Sequence, residues 1–430
     1  MVQQRSAGRR CLALGAMLVT ATPALAQSTE SNDVPLGHHT GGDIHVVDHN
    51  RRYFWPDFKP SKPPSPEKQA RFFTIKPSIA LIGDWTGWDQ NQTNIDQVGV
   101  QPNGFQVRSA RLNFFGSIGH GYKVGFQIGG EYKGFDIDPD QTWVLTDATL
   151  TFPLGDRTKL AIGKMKETFS YEMVGDAANL PQFERVLNPF FVSRNVGARI
   201  THIFGARKNA TLAFGAFNDN WDPGSTTNRG WDVTARATAL IWDDAPDRWM
   251  HVGFAYRHAA SSQGTLLYRG RAETNVGSYF VNTGNIEADD ANHYGFEGLL
   301  NIGGFSLLGE YILADVNTPV GDDPQLSGYY LTASIVPTGE SRPYDRNVGY
   351  ARRIIPKGYW GAPELVFRYA HVDLDDKQIE GGSYDRLSFG VNWWATTRWK
   401  FGGLFGFTWL DRFNENGLAT NFLARIQWIY

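Results

Sequence analysis

The 430-residue sequence has one cysteine, Cys11, and no apolar run beyond its N-terminus long enough to cross a membrane as a helix. The first shortage leaves no disulfide framework and no cysteine-based metal or redox centre. The second excludes a bundle of membrane-spanning helices. Charge is nearly balanced, at −3, so there is no basic surplus to bind nucleic acid. Catalytic signatures are missing too. There is no Gly-x-Ser-x-Gly elbow, no phosphate-cradling glycine loop ahead of a helix and no His-Glu-x-x-His pair. No cofactor is implied and the sequence does not read as an enzyme. Carboxylates are plentiful, so a secreted or outer-membrane hydrolase working with two acids stands as an alternative, although no pair and no nucleophile stand out. A secreted adhesion module is a third class.

The sequence is rich in glycine (47 residues) and in aromatics (14%), with mean hydropathy of −0.36. Strands that alternate faces between tight turns have this composition. Residues 1–26 read as an export signal. Arg5, Arg9 and Arg10 form a basic start, Cys11 to Val19 an apolar stretch, and Ala24-Leu25-Ala26 a small-residue cleavage site before Gln27. The Arg9-Arg10 pair also fits a twin-arginine address, a route for folded cargo that suits a membrane barrel poorly. Cleavage removes Cys11 and three arginines, taking the formal charge from −3 to −6. Residues 27–70, with Pro60, Pro63, Pro64 and Pro66, read as an extended linker. Its His38, His39, His45 and His49 lie near Asp43 and Asp48 but lack the spacing of a structural zinc site, so no metal is assigned.

From residue 71 the pattern is that of a membrane barrel. Phe422, Ala424, Ile426, Trp428 and Tyr430 share one face of the last strand, and Asn421, Arg425 and Gln427 the other. A terminal aromatic residue is typical of bacterial outer-membrane barrels. Trp231, Val233, Ala235, Ala237 and Ala239 oppose Asp232, Thr234, Arg236 and Thr238 in the same way. A soluble sandwich alternates likewise, so the aromatic positions carry weight: Trp399 and Trp409 sit near opposite ends of one strand, as in two interfacial girdles. Strands are expected near 72–86, 105–118, 121–134, 143–153, 158–164, 196–204, 209–219, 230–242, 248–259, 292–302, 304–315, 325–337, 361–374, 384–395, 398–410 and 418–430. That makes about sixteen, an even number as single-chain bacterial barrels require. The fold class is therefore all-β, a sixteen-stranded antiparallel transmembrane barrel. Connections 87–104, 165–195 and 260–291 are long and expected outside. Connection 338–360 is long yet falls on the periplasmic side. The segments 165–195, 260–291 and 338–360 are candidates to fold inward.

Several stretches resemble the phosphate-selective porin O/P family. They include Val107-Arg108-Ser109-Ala110-Arg111-Leu112, Asp147-Ala148-Thr149-Leu150, Ile162-Gly163-Lys164-Met165-Lys166-Glu167, Phe183-Glu184-Arg185 and Ser193-Arg194-Asn195-Val196-Gly197. The C-terminal third adds Ser327-Gly328-Tyr329-Tyr330, Thr338 to Tyr344, Arg368 to Leu374 and Gly390-Val391-Asn392-Trp393-Trp394. Order and spacing across 105–394 give the match its specificity. The resemblance implies a homotrimer of barrels in the bacterial outer-membrane lipid, passing small anions such as phosphate by passive diffusion. It implies basic side chains at a constriction, among them an arginine pair on an early strand and an arginine on an inward loop. Here Arg108 is followed by Ser109 where the family often has a second arginine, and Arg185 matches the loop arginine. The same loop carries Lys166, Arg185 and Arg194 against Glu167, Glu172, Asp176 and Glu184, a balance of −1 that argues against strict phosphate specificity. A weakly selective general or carbohydrate porin is the alternative.

Strand parity nominates Arg111, Lys123, Arg199, Arg236, Arg368 and Arg425 for the lumen, with Glu131, Asp147, Asp232, Glu297, Glu310 and Glu364 on the same faces. Arginine suits oxyanions because its planar fork offers paired hydrogen bonds. The candidate anion-lining set is Arg108, Arg111, Lys123, Arg185, Arg194, Arg199, Arg236 and Arg368. Arg108 and Arg111 have opposite parity, so a regular strand cannot turn both inward. Either a bulge intervenes or Arg108 reaches the headgroup zone from a strand end. Segment 338–360 carries Arg342, Arg346, Arg352, Arg353 and Lys357 against Glu340 and Asp345, a surplus of +3. Folded into the mouth it would attract anions; as a solvated loop it would not.

Overall fold

A computed structural model describes residues 72–133, 143–218 and 230–430. The export signal and the histidine-containing linker lie outside the described residues. β1 (Phe73–Gln90), β2 (Gly104–Ile118), β3 (Val124–Tyr132), β4 (Trp143–Pro153), β5 (Thr158–Met165), β6 (Asn195–Phe204), β7 (Ala210–Asn218), β8 (Trp231–Ala245) and β9 (Arg248–Ala260) pair in sequence order. A separate hairpin follows, β10 (Thr265–Gly270) with β11 (Val281–Glu287). The wall resumes with β12 (Asp290–Ile302), β13 (Phe305–Asn317) and β14 (Gln325–Ile335). A two-residue pair, β15 (Tyr344–Asp345) and β16 (Tyr350–Ala351), stands apart from it. β17 (Ala362–Asp376), β18 (Ile379–Trp394), β19 (Trp399–Arg412) and β20 (Glu415–Ile429) complete the wall. Sixteen strands close into one antiparallel barrel as β20 pairs with β1. At the seam, Tyr430 and Ile79 exchange both backbone hydrogen bonds, each 2.8 Å.

The outer face separates a barrel in lipid from a soluble sandwich. Leu81, Ile128, Phe214, Phe296, Phe367 and Phe405 are all about half exposed, a continuous apolar band with nothing covering it. Their neighbours in sequence point inward and are buried. No helix of the described residues is long and apolar enough to cross a membrane.

Three expectations change in detail. β18 begins at Ile379 and β20 at Glu415, so two connections at the long-loop end shrink to Lys377–Gln378 and Phe413–Asn414. Phe413 and Asn414 both have positive φ, 59° and 60°, the turn whose twist matches a tight hairpin. Residues 260–291 contain the hairpin β10–β11, and a short helix α1 (Gln92–Val98), capped by the Asn91 side chain, interrupts the loop after β1.

The barrel is no hydrated tube. Phe169, Tyr171, Leu187 and Phe190 of the loop after β5, Leu266, Tyr268 and Phe280 of the hairpin, and Tyr350 of the arm between β14 and β17 form one apolar cluster with the inner wall. The wall contributes Leu240 of β8, Ala255 of β9, Leu299, Ile312, Leu326 and Ala370 onward to Leu410 of β19. The inserted segments therefore fill the side of the lumen next to the later strands.

Candidate solute path

The wall at the opposite side begins with a bulge. Ile82 faces Ser109 while Gly83 faces Val107, which leaves Arg108 as the extra residue of β2. The parity conflict between Arg108 and Arg111 is resolved by this bulge, and both guanidiniums turn inward. Arg108 binds Glu184 of the inward loop through both carboxylate oxygens, and Arg111 binds Glu131 at 3.0 Å. A second bulge, at Thr146, lets Thr146 and Asp147 of β4 both be buried. Asp147 then receives Arg194 at 3.2 Å.

The inward loop, residues 166–194, has two chemically different sides. Behind it, Glu167 binds Arg257 at 3.0 Å, and Arg257 also binds Asp232 at 3.0 Å. Glu172 accepts from Arg368 at 2.7 Å, from Gln182 at 3.0 Å, and from the backbone N–H groups of Val186 and Leu187. Two of the loop's four carboxylates are thus used up holding it to the filled side. Its tip is pinned across the lumen as well: Asn392, Lys400 and Gln427 donate to the carbonyls of Pro181, Leu180 and Ala178.

The other side presents Lys166, Arg185 and Arg194, close to Asp176 and Arg111. Arg185 is half-buried. Its Nε donates to the Glu172 carbonyl at 2.6 Å and its Nη2 to the Gly175 carbonyl at 3.4 Å. Backbone carbonyls fix this guanidinium without neutralising it. Burial, with the nearby Arg108 charge second, lowers its pKa to about 10, so it stays cationic at neutral pH. Together the two sides of the gap place Arg108, Arg111, Lys166, Arg185 and Arg194 against Glu131, Asp147, Asp176 and Glu184, five basic side chains to four carboxylates. Burial, with the Arg185 charge second, pushes the Lys166 ammonium well below its ordinary pKa, and it donates to the Gly175 carbonyl at 2.9 Å. The loop's overall balance of −1 does not describe what it shows the gap.

The remaining candidates make other contacts. Arg199 is buried on β6, donating to the Lys166 carbonyl at 3.1 Å. Arg236 bonds Glu297 at 2.5 Å and the carbonyls of Val348 and Gly349 at 3.0 and 2.7 Å, so it grips the arm. Arg368 bridges Glu172 and Glu273. Lys123 lies in the turn before β3, at the short-turn end. Arg425 bonds Asp84 at 2.6 Å and Glu184 at 3.3 Å.

The arm, residues 336–361, enters the lumen from the short-turn end, but its cations do not form an attracting patch. Arg342 binds Glu364, Arg346 binds Asp243 at 2.7 Å, and Arg352 binds Asp345. What the arm does is support the loop. Asn179 donates to Tyr350 Oη at 2.6 Å, Ala351 N to Tyr171 Oη at 3.1 Å, and Arg342 to the Asn179 carbonyl at 3.1 Å. Lys166 was outside the candidate set; its signals in the sequence were its place in the Ile162 to Glu167 motif and among the loop's charges. Asp84 could be found only once β20 is known to pair with β1. Among the described residues no cluster of His, Cys, Asp or Glu could hold a metal.

A closed sixteen-stranded wall, an apolar outer band and a loop folded across the lumen define an outer-membrane porin. The sequence profile described as Phosphate-selective porin O and P matches residues 82–405, and the chain belongs to that family. No curated protein matches the sequence significantly. Among solved structures, the anion-selective porin from Comamonas acidovorans is similar at 15% identity and a TM-score of 0.56, over 83% of this chain and all of that one. OmpT of Vibrio cholerae, in its trimer form, aligns at 10% identity and 0.52, over 84% of this chain and all of that one. The channel DcaP of Acinetobacter baumannii gives 11% and 0.52, over 83% and 97%. These likenesses describe the fold.

Proposed function

We propose that this porin passes small anions, phosphate among them, by passive diffusion, and that it does so as a homotrimer. The observation that carries the reading is the half-buried Arg185, held by carbonyls at a gap where five basic side chains meet four carboxylates. A guanidinium whose charge is not cancelled at contact raises the local concentration of anions and can offer its fork to an oxyanion. Arg108, Arg111, Lys166, Arg185 and Arg194 would line the path, and Lys123 its periplasmic exit. Arg199, Arg236 and Arg368 would serve to hold the inserted segments. The description of the family as phosphate-selective supports the anion reading, as does the description of the Comamonas porin as anion-selective. A surplus of one charge at most, with Ser109 in place of a second arginine, favours modest selectivity over a dedicated phosphate filter. Single-channel recording in planar bilayers tests this, with reversal potential under a salt gradient and phosphate titrated in. Conductance steps in groups of three, anion selectivity and block by phosphate are expected. Steps without block would leave a weakly selective porin, and cation selectivity would refute the reading.

A further inference from the structure

Tyr359 and Trp360 are among the most exposed large side chains of the described residues, at 92% and 82%. They sit where the arm leaves the lumen and turns into β17. Gly361, at φ +77°, makes the turn; a Cβ there would fall 2.4 Å from the Trp394 carbonyl. The Trp393 indole N–H donates to the Trp360 carbonyl at 2.8 Å, which places this turn against the outer surface of β18. Trp393 belongs to a chain of outward-facing rings: Phe401 at 5.5 Å, then Trp399 at 5.9 Å from Phe401, Trp428 at 6.3 Å and Tyr430 at 6.2 Å. Arg398 lies over Tyr430 at 4.7 Å. This is the aromatic girdle at the periplasmic edge of the apolar band, and Tyr359 and Trp360 continue it. Ile355 and Lys357, in the same stretch, are exposed as well.

We propose that Ile355, Lys357, Tyr359 and Trp360 form a membrane foot, seated in the headgroup zone of the periplasmic leaflet. Indole and phenol rings have an apolar body and a polar tip, which favours that zone over bulk water. Lys357 is placed to meet lipid phosphates while its stem lies along the apolar boundary. The foot gives the arm a second attachment. One end reaches Tyr171 and Asn179 of the inward loop, and the other holds the lipid, so the support beneath that loop is tied to the leaflet. The inference needs only that the barrel lies in a membrane, and it stands apart from the solute.

The test uses the full chain with Cys11→Ala, Tyr359→Cys labelled with bimane, reconstituted in phosphatidylcholine and phosphatidylglycerol vesicles. Asp156→Cys in a short periplasmic turn serves as the aqueous reference and Phe405→Cys on the outer band as the lipid reference. Phospholipids brominated high on the acyl chain should quench label 359 several-fold more than label 156, and iodide should do the reverse. Lys357→Cys should report the same order through an independent substitution. Iodide quenching at 359 and 357 equal to that at 156 would overturn the proposal, as would protection from both quenchers, which would mean a polypeptide covers the site.

Discussion

Replacing Arg185 with alanine removes one positive charge from the gap, and Arg185→Glu shifts its balance by two. The size of the effect follows from Coulomb's law. A unit charge about 6 Å from a passing monovalent ion, in water, is worth roughly 0.7 kcal/mol. Removing it lowers the anion concentration at the gap about threefold and raises that of cations about threefold, so the permeability ratio shifts about tenfold at low salt. At 1 M salt the Debye length shrinks to about 3 Å and most of the shift should disappear. The assay is the reversal potential across a planar bilayer under a potassium chloride gradient, at about 10 mM and about 1 M mean salt. Arg185→Lys keeps the charge and should keep the ratio, although it loses the paired geometry. An Arg185→Ala channel of normal conductance whose ratio at low salt is unchanged would show that this guanidinium is not on the path.

Glu172→Ala removes the acceptor of Arg368, Gln182 and two backbone N–H groups, and should destabilise the inward loop by about 3–5 kcal/mol. The readout is larger, noisier single-channel steps, with a lower temperature for loss of heat-modifiable mobility on gels. Arg236→Ala frees the carbonyls of Val348 and Gly349, so the arm should become a target for trypsin added from the periplasmic side; equal resistance would count against its gripping role. Burial alone would raise the Glu184 pKa, but Arg108 bonded to it and Arg425 beside it hold it below the usual carboxylate range, and Lys166 and Arg111 do the same for Asp176. Both carboxylates therefore stay charged from pH 7 to 5 and contribute no change in selectivity there, turning it more anionic only below the ordinary carboxylate range. The stability they contribute is complete above that range and is lost as pH falls through their lowered values. A swing in reversal potential near pH 5 would contradict this.

The wall was legible because a barrel strand has a period of two and each face meets one solvent. β8 and β20 could be read residue by residue from that rule. Even the conflict between Arg108 and Arg111 was a readable sign, since two inward arginines three apart require one extra residue. Pairing across the barrel was not legible. The surplus of arginines in the arm left both an anion-attracting mouth and a solvated loop open, because Glu364 and Asp243 lie on strands β17 and β8, and only the closed register brings them to Arg342 and Arg346. The loop's four carboxylates counted alike in sequence, whereas Glu167 and Glu172 turn away from the gap and Asp176 and Glu184 remain. The tight turn at Phe413–Asn414 contains no glycine to mark it, and the Asn416-Gly417 pair lies inside β20.

The apolar cluster inside the barrel has a consequence for assembly. Phe190 and Tyr268 belong to segments that connect strands at the outer end of the barrel, whereas Tyr350 comes from an arm that enters from the periplasmic end. Neither group can bury its rings alone. The cluster therefore completes only after the wall has closed and both segments have been delivered, one from each compartment. Its packing amounts to a check that the chain has been threaded correctly, made by the finished molecule on its own history.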